Sequence, residues 1–119
     1  MRAFQQTAVS LFISLSLPWV PAYAESVYVK YRGDVDLDPF QCEDITGSSF
    51  VNRICYDAAN QYMLILLNST YYHYCEIDAG TVFALKSAPS IGKFFRAHIR
   101  GTGTDGPFDC RTHRVPKYP

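Results

Sequence analysis

The sequence predicts an α+β fold, in which a small antiparallel sheet of three or more strands carries two helices on one face. Between positions 50 and 77, three segments rich in β-branched and aromatic residues are separated by short turn sequences. Two shorter segments with capping residues and apolar spacing typical of helices follow. Four cysteines indicate that disulfides hold N-terminal and C-terminal arms over the other face of the sheet.

The first 24 residues are predicted to be a secretory signal peptide. Met1 and Arg2 form a short positive start, residues 7–17 are apolar, and residues 22–24 (Ala-Tyr-Ala) suit a cleavage site after Ala24. The apolar segment is shorter than the roughly 20 residues that a membrane-spanning helix needs. We therefore expect a periplasmic or secreted protein that has no membrane contact after cleavage.

The rest of the chain is divided into an N-terminal arm (25–47), a central domain (48–101) and a C-terminal tail (102–119). Once the predicted signal peptide, which contains Arg2, is removed, the chain has ten basic and eleven acidic residues and a net charge of −1. A chain this close to neutral offers no global electrostatic reason to expect nucleic acid or an anionic membrane as its partner. Within the arm, residues 27–37 alternate as a strand would, with a turn predicted at Arg32-Gly33-Asp34.

The predicted strands of the central domain are residues 50–57, 62–67 and 70–77. Asn68-Ser69 is a two-residue hairpin turn, where asparagine tolerates a positive φ, and it sets Leu67 opposite Thr70. Alternation then defines two faces. The core face carries Ile54, Tyr56, Met63, Ile65, Leu67, Tyr72 and Tyr74. The opposite face carries Arg53, Cys55, Tyr62, Leu64, Leu66, Tyr71, His73 and Cys75.

Two helices are predicted after the strands, both packed on the core face. Asp78 suits the N-cap of the first helix, which extends to about Ser87 and is ended by Pro89. Ser90 suits the N-cap of the second, over residues 91–99. The apolar side chains expected to face the sheet are Val82, Leu85, Phe95 and Ile99.

The four cysteines, Cys42, Cys55, Cys75 and Cys110, predict two disulfides. Their spacings of 13, 20 and 35 contain no closely spaced pair of the kind that four-thiolate zinc sites use. Cys55 and Cys75 are excluded as partners because two strand spacings, about 10 Å, separate them, beyond the Cα limit of about 7 Å. The favoured pairing is Cys42–Cys55 with Cys75–Cys110, and the crossed pairing stays open.

An ordered set of motifs in the central domain resembles the KTSC domain. The motifs are Ser48-Ser49, Tyr56-Asp57, Tyr72-His73-Tyr74, residues 88–95 (Ala-Pro-Ser-Ile-Gly-Lys-Phe-Phe) and Ile99-Arg100-Gly101. The resemblance implies a bacterial module of unestablished function, also found at the C-terminus of some lysyl-tRNA synthetases, for which RNA binding has been suggested. It marks Tyr72 and Tyr74 as family-motif residues. The export signal, the cysteines and the arms depart from the family pattern.

The second helix contains the candidate anion-binding residues. Residues 79–100 contain no acid, whereas Lys93, Arg96 and Arg100 are spaced i, i+3, i+7, as a stripe on one helix face requires. Free amides near the helix start could hold an anion. The candidate residues are therefore Ser90, Gly92, Lys93, Arg96 and Arg100. The alternative is a solvated basic face on which Ser90 acts only as a cap.

The predicted function is a non-catalytic binding or interaction module with a protein or anionic partner and no cofactor. RNA or anion binding by the basic second helix is the first alternative, although an exported protein seldom meets RNA. A small hydrolase-type enzyme is the second. It is disfavoured because His73 lies on a sheet face among apolar neighbours, and His98 and His113 have no sequence-local carboxylate or nucleophile. The sequence also contains no catalytic or metal-binding motif.

Overall fold

The structure is a computed structural model that describes residues 25–100 and 105–119. The predicted signal peptide, residues 1–24, lies outside the described residues. Six strands form one sheet: β1 (Ser26–Val29), β2 (Gly33–Asp36), β3 (Gln41–Asp44), β4 (Val51–Asp57), β5 (Tyr62–Leu67) and β6 (Thr70–Tyr74). Helix α1 (Ala79–Ser87) follows, and then α2 (Ile91–Phe94), which continues directly into a π-helical turn (Phe95–Ile99). No helix in the described part of the chain is long and apolar enough to cross a membrane.

The α+β class is confirmed, but the sheet is larger than predicted and is mixed rather than antiparallel. The strand order is β2-β1-β6-β5-β4-β3, so the N-terminal arm supplies both edges of the sheet. One neighbour pair, β1 with β6, is parallel and meets at Val29 and Tyr71. The turn between β1 and β2 lies at residues 30–32, slightly earlier than predicted, and Tyr31 adopts a φ of 72° there. The arm therefore extends the sheet as well as packing on it.

The predicted register of the three central strands is confirmed. Leu67 pairs with Thr70 and Met63 with Tyr74 across the β5–β6 hairpin, and Tyr56 pairs with Met63 between β4 and β5. Asn68 has a φ of 57°, the left-handed conformation that this tight turn requires. A register shift between Val51 and Arg53 was not predicted.

One face of the sheet, called here the helix face, packs against α1, α2 and the π turn. Its buried cluster combines sheet residues with the four apolar helix residues predicted from spacing. Asp78 caps α1 by accepting a hydrogen bond from the backbone N–H of Thr81 at 3.0 Å. Buried Tyr56 donates its hydroxyl to the carbonyl of Ile77 at 2.7 Å, which closes the connection from β6 to α1.

The opposite face, called here the arm face, is covered by side chains from both arms. Its buried cluster contains Val29, Val35, Leu37, Phe40, Cys55, Tyr62, Leu64, Cys75 and Cys110. The disulfides are Cys42–Cys55 and Cys75–Cys110, the pairing favoured from the sequence. The first joins paired strands β3 and β4, and the second ties the C-terminal tail to the end of β6.

Candidate functional site

A solvent-open groove lies at the corner between α1 and α2, and it is the best candidate for a binding site. Its volume is about 410 Å³. Its lining residues are Ala88, Pro89, Ser90, Lys93, Phe94, Ala97 and His98. Four of these are apolar, and no acidic residue lines it. The groove includes two of the predicted anion-binding residues, Ser90 and Lys93.

The corner that forms the groove follows from local sequence. Pro89 ends α1, and Ser90 starts α2 by accepting a hydrogen bond from the backbone N–H of Lys93 at 3.2 Å. Gly92 is buried against Phe50, and a Cβ at this position would lie 2.7 Å from Cε1 of that ring. A glycine is therefore needed for α2 to approach the sheet this closely. The predicted candidate Gly92 has a packing role.

The predicted α-helix over residues 91–99 becomes a π-helical turn after Phe94. The backbone N–H of Arg100 donates to the carbonyl of Phe95 at 2.7 Å, an i to i+5 bond. A π turn holds more residues than an α turn, so a spacing of i, i+3, i+7 no longer places three side chains in one stripe. Arg100 also leaves the helix with a φ of 52°. The structure therefore places Lys93 on the groove and Arg100 beyond the end of the helix.

No carboxylate in the described part of the chain forms an ion pair with the cations beside the groove. Within residues 25–100 and 105–119, Lys93 and Arg96 form no ion pair, whereas Lys86 pairs with Glu43 at 3.5 Å. The guanidinium of Arg96 lies 4.4 Å from the centre of the Phe50 ring, a cation–π distance. Exposed Lys93 and Arg96 therefore give this corner a positive potential that the local structure does not cancel.

An aromatic pair forms part of the groove wall. The rings of Phe94 and His98 lie 4.4 Å apart with an interplanar angle of 40°. Phe94 is half-buried and His98 is exposed. The groove therefore offers a flat, partly apolar surface next to the ammonium group of Lys93.

The two tyrosines of the family motif lie in the core cluster against which α2 and the π turn pack. Tyr74 is fully buried, and burial raises the pKa of its hydroxyl. Its ring meets Phe95 edge to face, with ring centres 5.9 Å apart. Tyr72 is half-buried against the same cluster. Both lie on the core face, as predicted, and Tyr74 is not accessible to a ligand.

A second polar cluster, on the arm face, is centred on His73. Its Nδ1 lies 2.8 Å from the hydroxyl of Tyr62. The pKa of His73 is lowered to about 4, mainly by burial and next by the guanidinium of Arg32. The nearby carboxylate of Asp109 acts in the opposite direction and raises this pKa. Burial also raises the pKa of Tyr62 to about 12. Both side chains are therefore neutral at pH 7.

Arg32 and Tyr118 complete this cluster, and sequence reasoning did not identify either. The Arg32 guanidinium lies 5.0 Å from the ring centre of Tyr62 and 5.4 Å from that of Tyr118, and it donates to the carbonyl of Pro116 at 2.8 Å. Tyr118 donates to the carboxylate of Asp57 at 2.6 Å. Arg32 and Tyr118 come from the two arms, far in sequence from the hairpin that carries Tyr62 and His73, so no spacing in the sequence indicated that they join this cluster.

A smaller pocket of about 260 Å³ lies between Asp57 and Lys86. Asp57 is 3% exposed and accepts hydrogen bonds from Tyr118 and from the side-chain amide of Asn60 at 2.8 Å. Both bonds tie the tail and the β4–β5 turn to the sheet. The Asp57 carboxylate therefore has a structural role, although it also lines a pocket.

Comparisons with known proteins find a similar solved structure and a matching family. The chain is similar to the crystal structure of a KTSC domain protein from Yersinia pestis, with 28% identity, a TM-score of 0.48 and coverage of 52% of this chain and 87% of that one. No curated protein matches the chain. Residues 47–102 match the KTSC domain, a family of unknown function. This central segment, residues 47–102, is therefore assigned to the KTSC domain family.

Proposed function

We propose that this chain is an exported KTSC domain that binds an acidic segment of a protein partner in the groove beside α2. The observation that carries the proposal is the composition of the groove. An apolar and aromatic wall lies next to Lys93, whose charge no carboxylate of the described residues neutralises. A peptide with an apolar side chain beside a carboxylate complements such a surface.

Export is supported by the cysteine chemistry and by the first residues of the sequence. Two disulfides are typical of proteins in an oxidising compartment. The apolar N-terminal segment with Ala22-Tyr23-Ala24 has the layout of a cleaved signal. Mass spectrometry of the product exported by a bacterial host tests this part directly. The expected chain begins at Glu25.

A protein partner fits the groove better than a nucleic acid does. Non-specific binding of single strands uses a track of cations and exposed aromatic rings on which bases stack. Here Tyr74 is buried, Tyr72 is half-buried, and the π turn separates Arg100 from the Lys93 side. The groove places Lys93, with Arg96 nearby, next to an apolar wall. This arrangement suits a short acidic segment.

The test is an NMR titration of the oxidised chain from Glu25 with three probes at low and high salt. The probes are a short Glu- and Asp-rich peptide containing one phenylalanine, heparin, and a single-stranded RNA. The peptide is expected to shift the backbone amide signals of residues 88–98, and salt should weaken this binding. A Lys93→Ala, Arg96→Gln variant should bind about tenfold more weakly, equivalent to about 1.4 kcal/mol.

The matched control is a Lys30→Ala, Lys117→Ala variant, which loses the same charge from exposed positions outside the groove lining. It should bind the peptide as the parent does. Binding of RNA or heparin at residues 88–98 without peptide binding would replace the protein partner with a polyanion. Failure of all three probes at low salt would overturn the groove as an anion-directed site.

A further inference from the structure

We propose that reduction of the Cys75–Cys110 disulfide creates a site for a thiophilic divalent metal such as zinc, with His73, Cys75 and Cys110 as its ligands. The site lies in the arm face and is separate from the groove and from its proposed function. It also differs from a four-thiolate site, because the second disulfide takes no part in it.

The geometry of the three side chains supports the proposal. One ring nitrogen of His73 and the two sulfur atoms lie within 4.8 Å of one another, and the three residues are buried. In a tetrahedral zinc site with Zn–S bonds of about 2.3 Å, neighbouring ligand atoms are about 3.5–4 Å apart. Binding therefore requires the imidazole to move by no more than about 1 Å and the sulfurs to separate once their bond is broken.

The backbone already holds the three ligands in place. His73 and Cys75 are two residues apart at the end of β6, so their side chains point to the same face of the sheet. The tail that carries Cys110 is held by a second contact, because the backbone N–H of Cys75 donates to the carbonyl of Phe108 at 2.9 Å. Reduction thus leaves a link that keeps Cys110 close to the other two ligands.

The surroundings of His73 suit a metal ligand. In the tautomer with its proton on Nδ1, His73 donates to the hydroxyl oxygen of Tyr62 at 2.8 Å. This bond orients the ring and leaves the lone pair of Nε2 available, the arrangement typical of metal-bound histidines. A water molecule can supply a fourth ligand, as in zinc sites with three protein ligands. Among the described residues, Cys42 and Cys55 have no third ligand grouped with them.

The chemistry balances with a dithiol or phosphine reductant. The reductant gives two electrons to the S–S bond, and two protons convert the sulfurs to thiols. A dithiol becomes its own disulfide, and a phosphine becomes its oxide by taking oxygen from water. The metal then displaces the two thiol protons and binds two thiolates and one neutral imidazole.

The test uses a Cys42→Ala, Cys55→Ala variant, so that Cys75 and Cys110 are the only thiols. After reduction with a phosphine, Co²⁺ is titrated as a spectroscopic substitute for zinc. A 1:1 complex with the visible bands of tetrahedral cobalt and a sulfur-to-cobalt charge-transfer band is expected. Adding His73→Gln should weaken binding at least about 100-fold. His98→Gln, at an exposed histidine outside the site, should leave it unchanged.

Tyr62→Phe provides a second variant, in which all three ligands remain. Loss of the orienting hydroxyl should weaken cobalt binding about tenfold. If the reduced Cys42→Ala, Cys55→Ala chain is unfolded without metal, cobalt should restore its near-UV circular dichroism. Cobalt should not restore it when His73→Gln is added. Equal cobalt affinity with and without His73→Gln would overturn the proposal. A complex in which two chains bind cobalt through sulfur ligands alone would also overturn it.

Discussion

Lowering the pH from 7 to 5 is expected to destabilise the oxidised protein through His73. The side chain is 5% exposed, and its pKa is lowered to about 4, first by burial and then by the Arg32 guanidinium. In the unfolded chain, the pKa of histidine returns to about 6.5. Between these two values, the unfolded chain binds a proton that the folded chain does not. The free energy of unfolding therefore decreases as the pH falls through this range.

The magnitude follows from the two pKa values. The predicted loss is about 2 kcal/mol at pH 5 and about 3 kcal/mol at pH 4, with nearly no loss at pH 7. Other groups that face the ring contribute little between pH 7 and 5. Tyr62 stays neutral because its pKa is raised to about 12, and Asp109 stays ionised because hydrogen bonds from Arg111 lower the pKa of its carboxyl.

The assay is urea unfolding at pH 7, 6 and 5, monitored by circular dichroism, with both disulfides intact. The control is His73→Gln, which keeps a polar side chain of similar reach but does not titrate. His98→Gln removes an exposed histidine and should retain the acid sensitivity of the parent. The reasoning is refuted if His73→Gln and the parent lose the same unfolding free energy between pH 7 and 5.

Two further predictions concern packing and covalent links. Gly92→Ala should lower the unfolding free energy by about 1–3 kcal/mol, because the new Cβ would lie 2.7 Å from the Phe50 ring. Gly47→Ala, with nothing within 4 Å of its Cβ, should change it little, and equal effects in urea unfolding would contradict the packing argument. Replacing the Cys75–Cys110 pair by alanines should cost about 4 kcal/mol and replacing the Cys42–Cys55 pair about 3 kcal/mol, because the first closes the longer loop. The reverse order in thermal or urea unfolding would show that loop entropy does not control the difference.

The central sheet could be predicted because local sequence specifies it. The Asn68-Ser69 turn fixes the β5–β6 pairing, and alternation then assigns every side chain to one face or the other. The caps at Asp78 and Ser90 are equally local, and both form the expected hydrogen bonds to the residue three positions later. These features depend on contacts within a few residues.

The positions of the arm strands in the sheet could not be predicted, because their partner strands are distant in sequence or their own pattern is weak. The parallel pairing of Val29 with Tyr71 joins residues that are far apart in the sequence, and no turn motif connects the two strands directly. Strand β3 has only four residues, three of them exposed, so it shows little hydrophobic pattern. The cysteine that it carries was the one signal that this segment lies beside β4.

The candidate site was predicted only in part, for the same physical reason. Ser90 and Lys93 were identified from the cap and from the run of basic residues, and both line the groove. The π turn was not predicted, because the apolar spacing of Phe95 and Ile99 suits an α-helix equally well. The Arg32–Tyr62–His73 cluster depends on three-dimensional contacts between segments. Its only sequence signal was a histidine on an apolar sheet face.

The π turn links the core of the domain to the shape of the groove. Phe95 packs edge to face on Phe50 and on Tyr74, with ring centres 6.0 and 5.9 Å apart. This buried contact fixes the point at which the α-helix widens, and hence the direction in which Lys93 and His98 project. A family-motif residue such as Tyr74 thus supports the proposed binding surface through the core, although it is itself buried. Because a site supported by packed aromatic rings is preorganised, the binding proposed for this corner would cost less conformational entropy than binding at a flexible surface.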